Sequence, residues 1–352
     1  MVSSWKRRVA DGMSSSRDAE PATRDSTGAE LLMSRTAGTR VVRVVTALTI
    51  AYFVAFCAPT RRSDDGGSNA HCDVGLVQSL GPLVNSGAFD GSPTVAADET
   101  ELFFTSERQG QRDLFVSSRP DEEGPWSAPL NLGAPIDDPS AGDFSLRLSA
   151  DGKSLYFAST RSGGFGKADM YVATRASRQY PWGPAMNLGP RLNTEAFEAF
   201  PTPSADGTTL YFNRSTAFDS QDSDIWMTTR AGPADQWSVP QRVPAGINSD
   251  RAEFSPSLST DGNTLFFASE RGGAIEVWVS TRRQRSQEWG TPQKLGAEVN
   301  VAGSMTLAPF ISDDQRSLYF MSGRPDAGAR GPCTPATCFD RVDLYVARLN
   351  CR

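Results

Sequence analysis

Residues 148–161 read LSADGKSLYFASTR, a polar turn at Asp151-Gly152 followed by alternating apolar and polar residues and then an arginine. Nearly the same phrase returns as PSADGTTLYFNRST from Pro203 and as LSTDGNTLFFASER from Leu258. Asp-Gly favours a tight hairpin turn, because glycine tolerates positive φ and aspartate can bond its own backbone. Alternation with a period of two predicts a strand with side chains on both of its faces. The phrase therefore predicts a β-hairpin that the chain repeats.

The turn aspartate recurs five times, at steps of 53, 55, 55 and 53 residues. Each unit has an apolar stretch before the turn and a second strand phrase after it, such as DMYVATR, and four units add a tryptophan phrase such as WGPAMNLG. Four short strands per repeat are typical of a propeller blade. The sequence thus predicts an all-β, five-bladed β-propeller over residues 74–350, with four antiparallel strands per blade. The turn aspartates are Asp98, Asp151, Asp206, Asp261 and Asp314.

The last unit lacks a tryptophan phrase, but residues 74–85, VGLVQSLGPLVN, match the end of WGPAMNLGPRLN. We therefore expect an N-terminal strand, residues 74–80, to join the C-terminal blade as its outer strand. This closure removes the exposed sheet edges that an open array would leave.

The residues before the propeller divide into three segments. Residues 1–43, rich in Ser, Thr, Ala, Arg and Asp, are predicted to be a disordered tail or the n-region of a signal, with Met33 as a hypothetical true start that N-terminal sequencing would test. Residues 44–58 are apolar and follow arginines, as in a signal peptide h-region or membrane anchor, although a full span needs about 20 residues. Residues 59–73 form a linker. Both interpretations export the propeller, to the periplasm or to a membrane-anchored position at the cell envelope.

The chain has five cysteines. VAFC, ending at Cys57, resembles the lipobox of bacterial lipoproteins, which implies lipidation of that cysteine; the alternative is that Cys57 is simply part of the apolar segment. The other four permit three pairings. Ring closure places Cys72 and Cys351 at the same end of a strand pair, which predicts a disulfide between them, and a local bridge is expected between Cys333 and Cys338.

Composition and motifs exclude several functions. The formal charge of −6 and pI near 5.1 provide no basic surface for nucleic acid. The one histidine, His71, precedes the propeller, so a Ser-His-Asp arrangement has no base inside it. No zinc motif or Gly-x-Ser-x-Gly elbow occurs. We expect no enzymatic activity and no cofactor.

The segment SPSLSTDGNTLFFASERGGAIEVWVSTR, residues 255–282, is similar to the PD40, or WD40-like, repeat of the TolB family and of envelope proteins that carry peptidoglycan-binding domains. All five units match it, over residues 74–350. The resemblance implies a propeller fold. TolB usually has six blades, so its partners are not implied for five.

Charged residues recur at the start of each predicted inner strand and after each second strand. They predict a charged funnel at the channel face that binds a cation, a basic peptide or a polar glycan; the alternative is that each acid pairs with an arginine and holds a loop. Thr306 and Thr216 break the two series. The recurring residues are Asp90, Asp143, Glu198 and Glu253, with Arg108, Arg161, Arg271 and Arg324.

Asp219, Asp222 and Asp224 lie close together and offer oxygen ligands for calcium, although a structural turn is the favoured interpretation because the loop lacks EF-hand features. The repeated tryptophans are expected in the core rather than on a ligand platform.

These features predict an exported, monomeric propeller that acts as a non-catalytic binding or scaffolding module for a protein or envelope polymer, with membrane contact only through its N-terminal segment. The alternative function is cleavage of a polysaccharide by channel carboxylates.

Overall fold

A computed structural model describes residues 72–218, 220–325 and 342–351, with the side chains of Cys72 and Cys351 excepted. These residues form twenty strands in five four-stranded antiparallel sheets. The predicted five-bladed β-propeller is therefore confirmed. Within these ranges the chain forms no helix that could span a membrane.

Each blade is a meander whose first strand faces the propeller axis. The first strands of the five blades contact one another in a closed ring. Blade 1 consists of β2 (Asp90–Val95), β3 (Glu101–Ser106), β4 (Asp113–Ser118) and β5 (Leu130–Asn131). Blade 2 consists of β6 (Asp143–Leu148), β7 (Ser154–Ser159), β8 (Asp169–Thr174) and β9 (Met186–Asn187). Blade 3 consists of β10 (Phe197–Pro203), β11 (Thr209–Ser215), β12 (Asp224–Thr229) and β13 (Gln241–Arg242). Blade 4 consists of β14 (Glu253–Leu258), β15 (Thr264–Ser269), β16 (Glu276–Thr281) and β17 (Gln293–Lys294).

Blade 5 closes the ring with strands from both ends of the propeller. Its strands are β18 (Thr306–Ile311), β19 (Ser317–Ser322), β20 (Asp343–Cys351) and β1 (Cys72–Ser79). The register pairs Cys72 with Cys351 and Ser79 with Tyr345. The predicted closing strand is thus confirmed, beginning two residues earlier than the sequence indicates.

The Asp-Gly hairpin forms as its sequence predicts. Asp151 Oδ1 accepts hydrogen bonds from the Lys153 backbone N–H at 3.0 Å and the Ser149 hydroxyl at 2.6 Å. Gly152 takes φ of 69°, a left-handed conformation that glycine adopts without steric cost. The turn thereby holds β6 and β7 in register.

The second strand of each blade supplies the core on both of its faces. Phe104 packs in a cluster with residues of blade 5, whereas its neighbour Phe103 packs against residues of blade 2. Both are almost fully buried. Alternation along β3 therefore joins three consecutive blades, as the period of two predicts.

An asparagine clamps the third strand in four blades. Asn193 accepts from the Met170 N–H and donates to the Met170 carbonyl oxygen, each at 2.9 Å. Asn85, Asn248 and Asn300 make the same two bonds in their blades. Blade 1 has Asp137 at this position, and it accepts from the Leu114 N–H at 3.2 Å. Burial raises the pKa of Asp137 to about 7.

The tryptophans stack on arginines at the outer part of the blades. Arg230 lies 4.1 Å from the ring centroid of Trp237 and donates from Nε to the Gly207 carbonyl oxygen. The same arrangement pairs Arg119 with Trp126, Arg175 with Trp182 and Arg282 with Trp289. The arginines therefore link the hairpin turns to the tryptophan rings.

Candidate functional site

The recurring carboxylates stand where first strands begin, at the end of the propeller that we call the channel face. Each pairs with an arginine of its own blade, and none of the four side chains has exposed surface. The distances are 2.7 Å for Asp90–Arg108, 2.6 Å for Asp143–Arg161, 2.8 Å for Glu198–Arg214 and 3.1 Å for Glu253–Arg271.

The pair in blade 2 shows how these residues anchor a loop. Arg161 also donates to the Ile136 carbonyl oxygen at 2.7 Å, and Asp143 accepts from the Asp138 backbone N–H at 2.7 Å. Burial raises the pKa of Asp143, against the opposing effect of Ser159 and Arg161. The arrangement holds the loop that enters the blade. Ligand binding by the buried carboxylates themselves stays a prediction.

Two positions of the charged series differ from the sequence-based expectation. In blade 3 the arginine is Arg214, opposite Glu198 in the ladder, and not the residue at position 216. Thr216 instead donates its backbone N–H to Asp222 at 3.1 Å. In blade 5 Arg324 donates to the Val299 carbonyl oxygen at 2.6 Å, and Thr306 donates to the same oxygen at 3.1 Å. The blade 3 charge pair is therefore intact, and the break in symmetry lies in blade 5.

A cavity of about 470 Å³ opens at the channel face, and we call it the aromatic cup. All five blades or the loops at their ends contribute to its wall, and most of that wall is apolar. Its phenylalanines are Phe89, Phe144, Phe200, Phe218 and Phe254; its aliphatic side chains are Ile275, Leu307 and Met321; its polar residues are Ser92, Arg112, Ser145, Gln221 and Glu270.

A β-bulge in every first strand shapes the wall of the cup. The ladder register shifts in each blade, between Phe144 and Arg147 in blade 2, for example. The bulged residues have φ between 50° and 55°, in the left-handed region that costs a non-glycine residue about 1–3 kcal/mol. They are Ser92, Ser145, Phe200, Ser255 and Ala308. Three of these residues, Ser92, Ser145 and Phe200, line the cup, so the bulges help to shape its wall.

Gly91 permits close packing at the floor of the cup. A Cβ atom at this position would lie 2.5 Å from both the Met321 Sδ atom and the Phe89 ring. Such distances are sterically forbidden, so glycine allows these two side chains to approach the inner strand.

The two charged residues of the cup have different surroundings. Arg112 lies 4.8 Å from the ring centroids of both Phe89 and Phe218 and forms a 2.7 Å ion pair with Glu107. The half-buried Glu270 lines the cup from blade 4. Among the described residues, no side chain or backbone group bonds to its carboxylate, so Glu270 contributes an uncompensated negative charge.

Below the cup, Arg147 lies buried on the axis. Its Nη2 donates to the carbonyl oxygens of Pro256 at 3.3 Å and Pro309 at 3.2 Å, and its guanidinium lies 4.8 Å from the Phe310 ring. Its Nε and Nη1 atoms have no partner among the described residues. Burial lowers its pKa to about 9. Arg147 is therefore a buried cation, and no carboxylate in the described part of the chain is close enough to form a salt bridge with it.

The calcium candidate does not assemble a metal site from the described residues. Asp224 forms a bidentate pair with Arg242 at 2.5 and 2.6 Å, and Asp222 accepts from Ser220 and from Thr216. Asp219 lies outside the described residues. No group of three or more His, Cys, Asp or Glu side chains in the described ranges is placed to hold a metal ion.

Several predicted residues lie beyond what the structure describes: Cys57, His71, Cys333 and Cys338, and with them the tail and apolar segment. The sequence does not predict the cup, because its phenylalanines do not share a single repeat position. Phe144 and Phe254 follow the ring carboxylates directly, and Phe200 follows one by two residues. Aromatic residues at the start of the inner strands were the available signal.

Comparison with family models gives no match, and neither does comparison with curated proteins. Solved structures do show similarity. An α-L-arabinofuranosidase from Podospora anserina, in complex with cellotriose, is 13% identical with a TM-score of 0.53, covering 79% of this chain and 97% of its own. The catalytic domain of a GH62 α-L-arabinofuranosidase from Coprinopsis cinerea is 12% identical with a TM-score of 0.54, covering 79% and 98%. TolB from Agrobacterium tumefaciens is 15% identical with a TM-score of 0.44, covering 79% and 98%. At these identities the likeness concerns the fold alone.

Proposed function

We propose that this protein is a non-catalytic binding module of the cell envelope, whose aromatic cup receives part of a partner protein or envelope polymer. One observation carries the proposal: a cavity of about 470 Å³ at the propeller axis, with an apolar wall built by all five blades. Ligand sites are typically concave and mostly apolar, with a few polar groups that orient the ligand. The cup has this composition.

Hydrolysis of a polysaccharide is less well supported. Glycosidases commonly use two carboxyl groups on either side of the scissile bond, about 5–9.5 Å apart. The four ring carboxylates have no exposed surface and are paired with arginines. Glu270 is the one acidic residue among the described residues that line the cup. A single carboxylate favours recognition over acid–base cleavage.

The envelope setting rests on the sequence and on the closing strands. The arginines and apolar run of residues 35–58 follow the plan of an export signal. The backbone register that pairs Cys72 with Cys351 suits a disulfide, which persists in oxidising compartments. Intact mass measurement of the protein from its native envelope tests this: we expect a shortened N-terminus and a mass gain on reduction, and a full-length mass with free thiols would contradict export.

Methyl NMR tests binding at the cup. With methyl-labelled Ile, Leu and Met, we expect at least one probe from a panel of amino-acid amides and β-linked trisaccharides to shift the signals of Ile275, Leu307 and Met321. The methyl groups of Met227 and Ile247, which line a separate cavity, serve as the internal control.

Two results would overturn the proposal. One is a panel that leaves the cup signals unchanged, or that shifts the control signals instead. The other is cleavage of a trisaccharide that stops when Glu270 is replaced by glutamine, which would make the cup an active site.

A further inference from the structure

Blades 1 and 4 carry the same hairpin between their second and third strands. The ladder pairs Ser106 with Asp113 in blade 1 and Ser269 with Glu276 in blade 4, and the two loops have equal length. Equal length and register make each loop residue of one blade equivalent to one of the other. Glu270 is thus equivalent to Glu107.

The equivalent loops differ at the residue before the third strand. Blade 1 has Arg112 there, and its guanidinium forms a 2.7 Å ion pair with Glu107 beside two phenylalanine rings. Blade 4 has Ile275 at that position. Both loops therefore begin with a glutamate followed by an arginine that pairs with the carboxylate of the first strand, but only blade 1 has a second arginine, before its third strand.

The missing cation in blade 4 adjoins a wall of aromatic rings. Phe254 and Phe200 line the same cavity as Glu270 and Ile275. A guanidinium gains from a carboxylate and from a phenylalanine face, and more so when it is shielded from water. Blade 1 shows that this propeller already holds a guanidinium in such a setting.

The other charged residues near the cup do not remove the preference for a cation beside Glu270. The positive charge of Arg112 is offset by Glu107. Arg147 lies deeper on the axis and does not line the cup. A cation is therefore favoured at the blade 4 side of the mouth rather than on the axis.

We infer that the cup binds an arginine side chain of a partner protein. The guanidinium contacts Glu270, and the methylene groups of the arginine side chain pack among the phenylalanines. This inference rests on the proposed binding function and specifies the ligand. The partner's arginine takes the place that Arg112 occupies in blade 1.

The test uses Nα-acetyl-L-arginine N-methylamide and its neutral isostere, the citrulline amide, titrated against the methyl-labelled protein. We expect saturable shifts of Met321 and Leu307 and an affinity for the arginine amide about tenfold or more above that for citrulline, as one charge-assisted contact implies. Glu270→Gln should abolish this difference, because the charge that distinguishes arginine from citrulline then has no carboxylate to contact. Glu195→Gln, a change of an exposed acid outside the cup wall, is the matched control.

A second test changes position 275, where blades 1 and 4 differ. Ile275→Arg gives blade 4 the residue of blade 1, so the new side chain should pair with Glu270 and exclude the arginine amide. Ile275→Met keeps the volume without the charge and should retain binding. Retained arginine binding in Ile275→Arg would contradict the inference.

The outcomes separate this inference from the proposed function. Equal affinity for arginine and citrulline amides, or no effect of Glu270→Gln, overturns the choice of arginine, while a trisaccharide that shifts the cup signals would still support binding at the cup. No shift with any probe overturns both.

Discussion

At the scale of single residues, comparing equivalent positions of the five blades shows where one blade uses a different interaction. Four blades clamp their third strand with an asparagine that both donates and accepts, and blade 1 does so with Asp137, which when ionised can only accept. Burial and the nearby charge of Asp143 raise the pKa of Asp137 to about 7. A protonated Asp137 can donate as asparagine does, whereas the ionised carboxylate only accepts, from the Leu114 and Gly133 backbone N–H groups, and is buried beside a second carboxylate.

Asp137→Asn should therefore stabilise the propeller in a pH-dependent manner. Because the folded pKa of about 7 exceeds the ordinary carboxyl pKa of 3.8, the stability contributed by Asp137 is full below pH 4 and is lost as the pH rises through 7. The gain in free energy of unfolding should be about 2–4 kcal/mol at pH 8 and small at pH 4. Denaturant titrations at both pH values measure it; an equal gain at both would refute the explanation.

Arg147→Met should leave stability unchanged or raise it by up to about 2 kcal/mol. Replacing a buried, poorly compensated ion by an apolar side chain of similar size is often neutral or stabilising. Two nitrogens of Arg147 are without partners among the described residues, and the side chain packs on Phe310. Thermal unfolding checks this. A loss above about 2 kcal/mol would mean that the guanidinium is held by bonds stronger than those to two carbonyl oxygens.

At the scale of elements, the sequence predicts strands well because each hairpin carries its own turn chemistry and alternation. The predicted closing strand, residues 74–80, agrees with β1 to within two residues. The bulges in the first strands were not predicted, since Ser92, Ser145 and Phe200 share no residue type that signals a left-handed conformation. Arg214 was missed for a related reason: it reaches Glu198 from within the strand, whereas the other arginines follow theirs.

The pairing of β1 with β20 predicts a disulfide that staples the ring. Directly opposite residues in an antiparallel ladder lie about 4.5–5.5 Å apart at Cα, within the range of disulfides, and Cys72 is opposite Cys351. Cys351→Ser should lower the free energy of unfolding by up to about 5 kcal/mol under oxidising conditions. The matched control repeats the comparison under reducing conditions. There, Cys351→Ser and the parent protein should have the same free energy of unfolding. Equal stability under oxidising conditions would show that the cysteines are not bonded.

At the scale of the whole molecule, the fold followed from sequence and the cup did not. Each of the five sequence repeats carries the pattern of a whole blade, so the fold can be predicted from short segments of sequence. The cup is assembled from side chains at different repeat positions in five blades, including Phe218 from a loop, and their convergence depends on the closed ring. The four recurring carboxylates that the repeat reveals are buried in ion pairs.

The central claim is that a partner contacts the cup in the cell envelope. The most direct measurement places a photo-crosslinking residue at Gln221, exposed at the rim of the cup, and separately at Gln287, exposed beside the other cavity. In the native host, the account predicts a discrete adduct from Gln221 and none from Gln287, and the adduct should weaken in the Ile275→Arg background. No adduct from Gln221, or the same adduct from both positions, would contradict it.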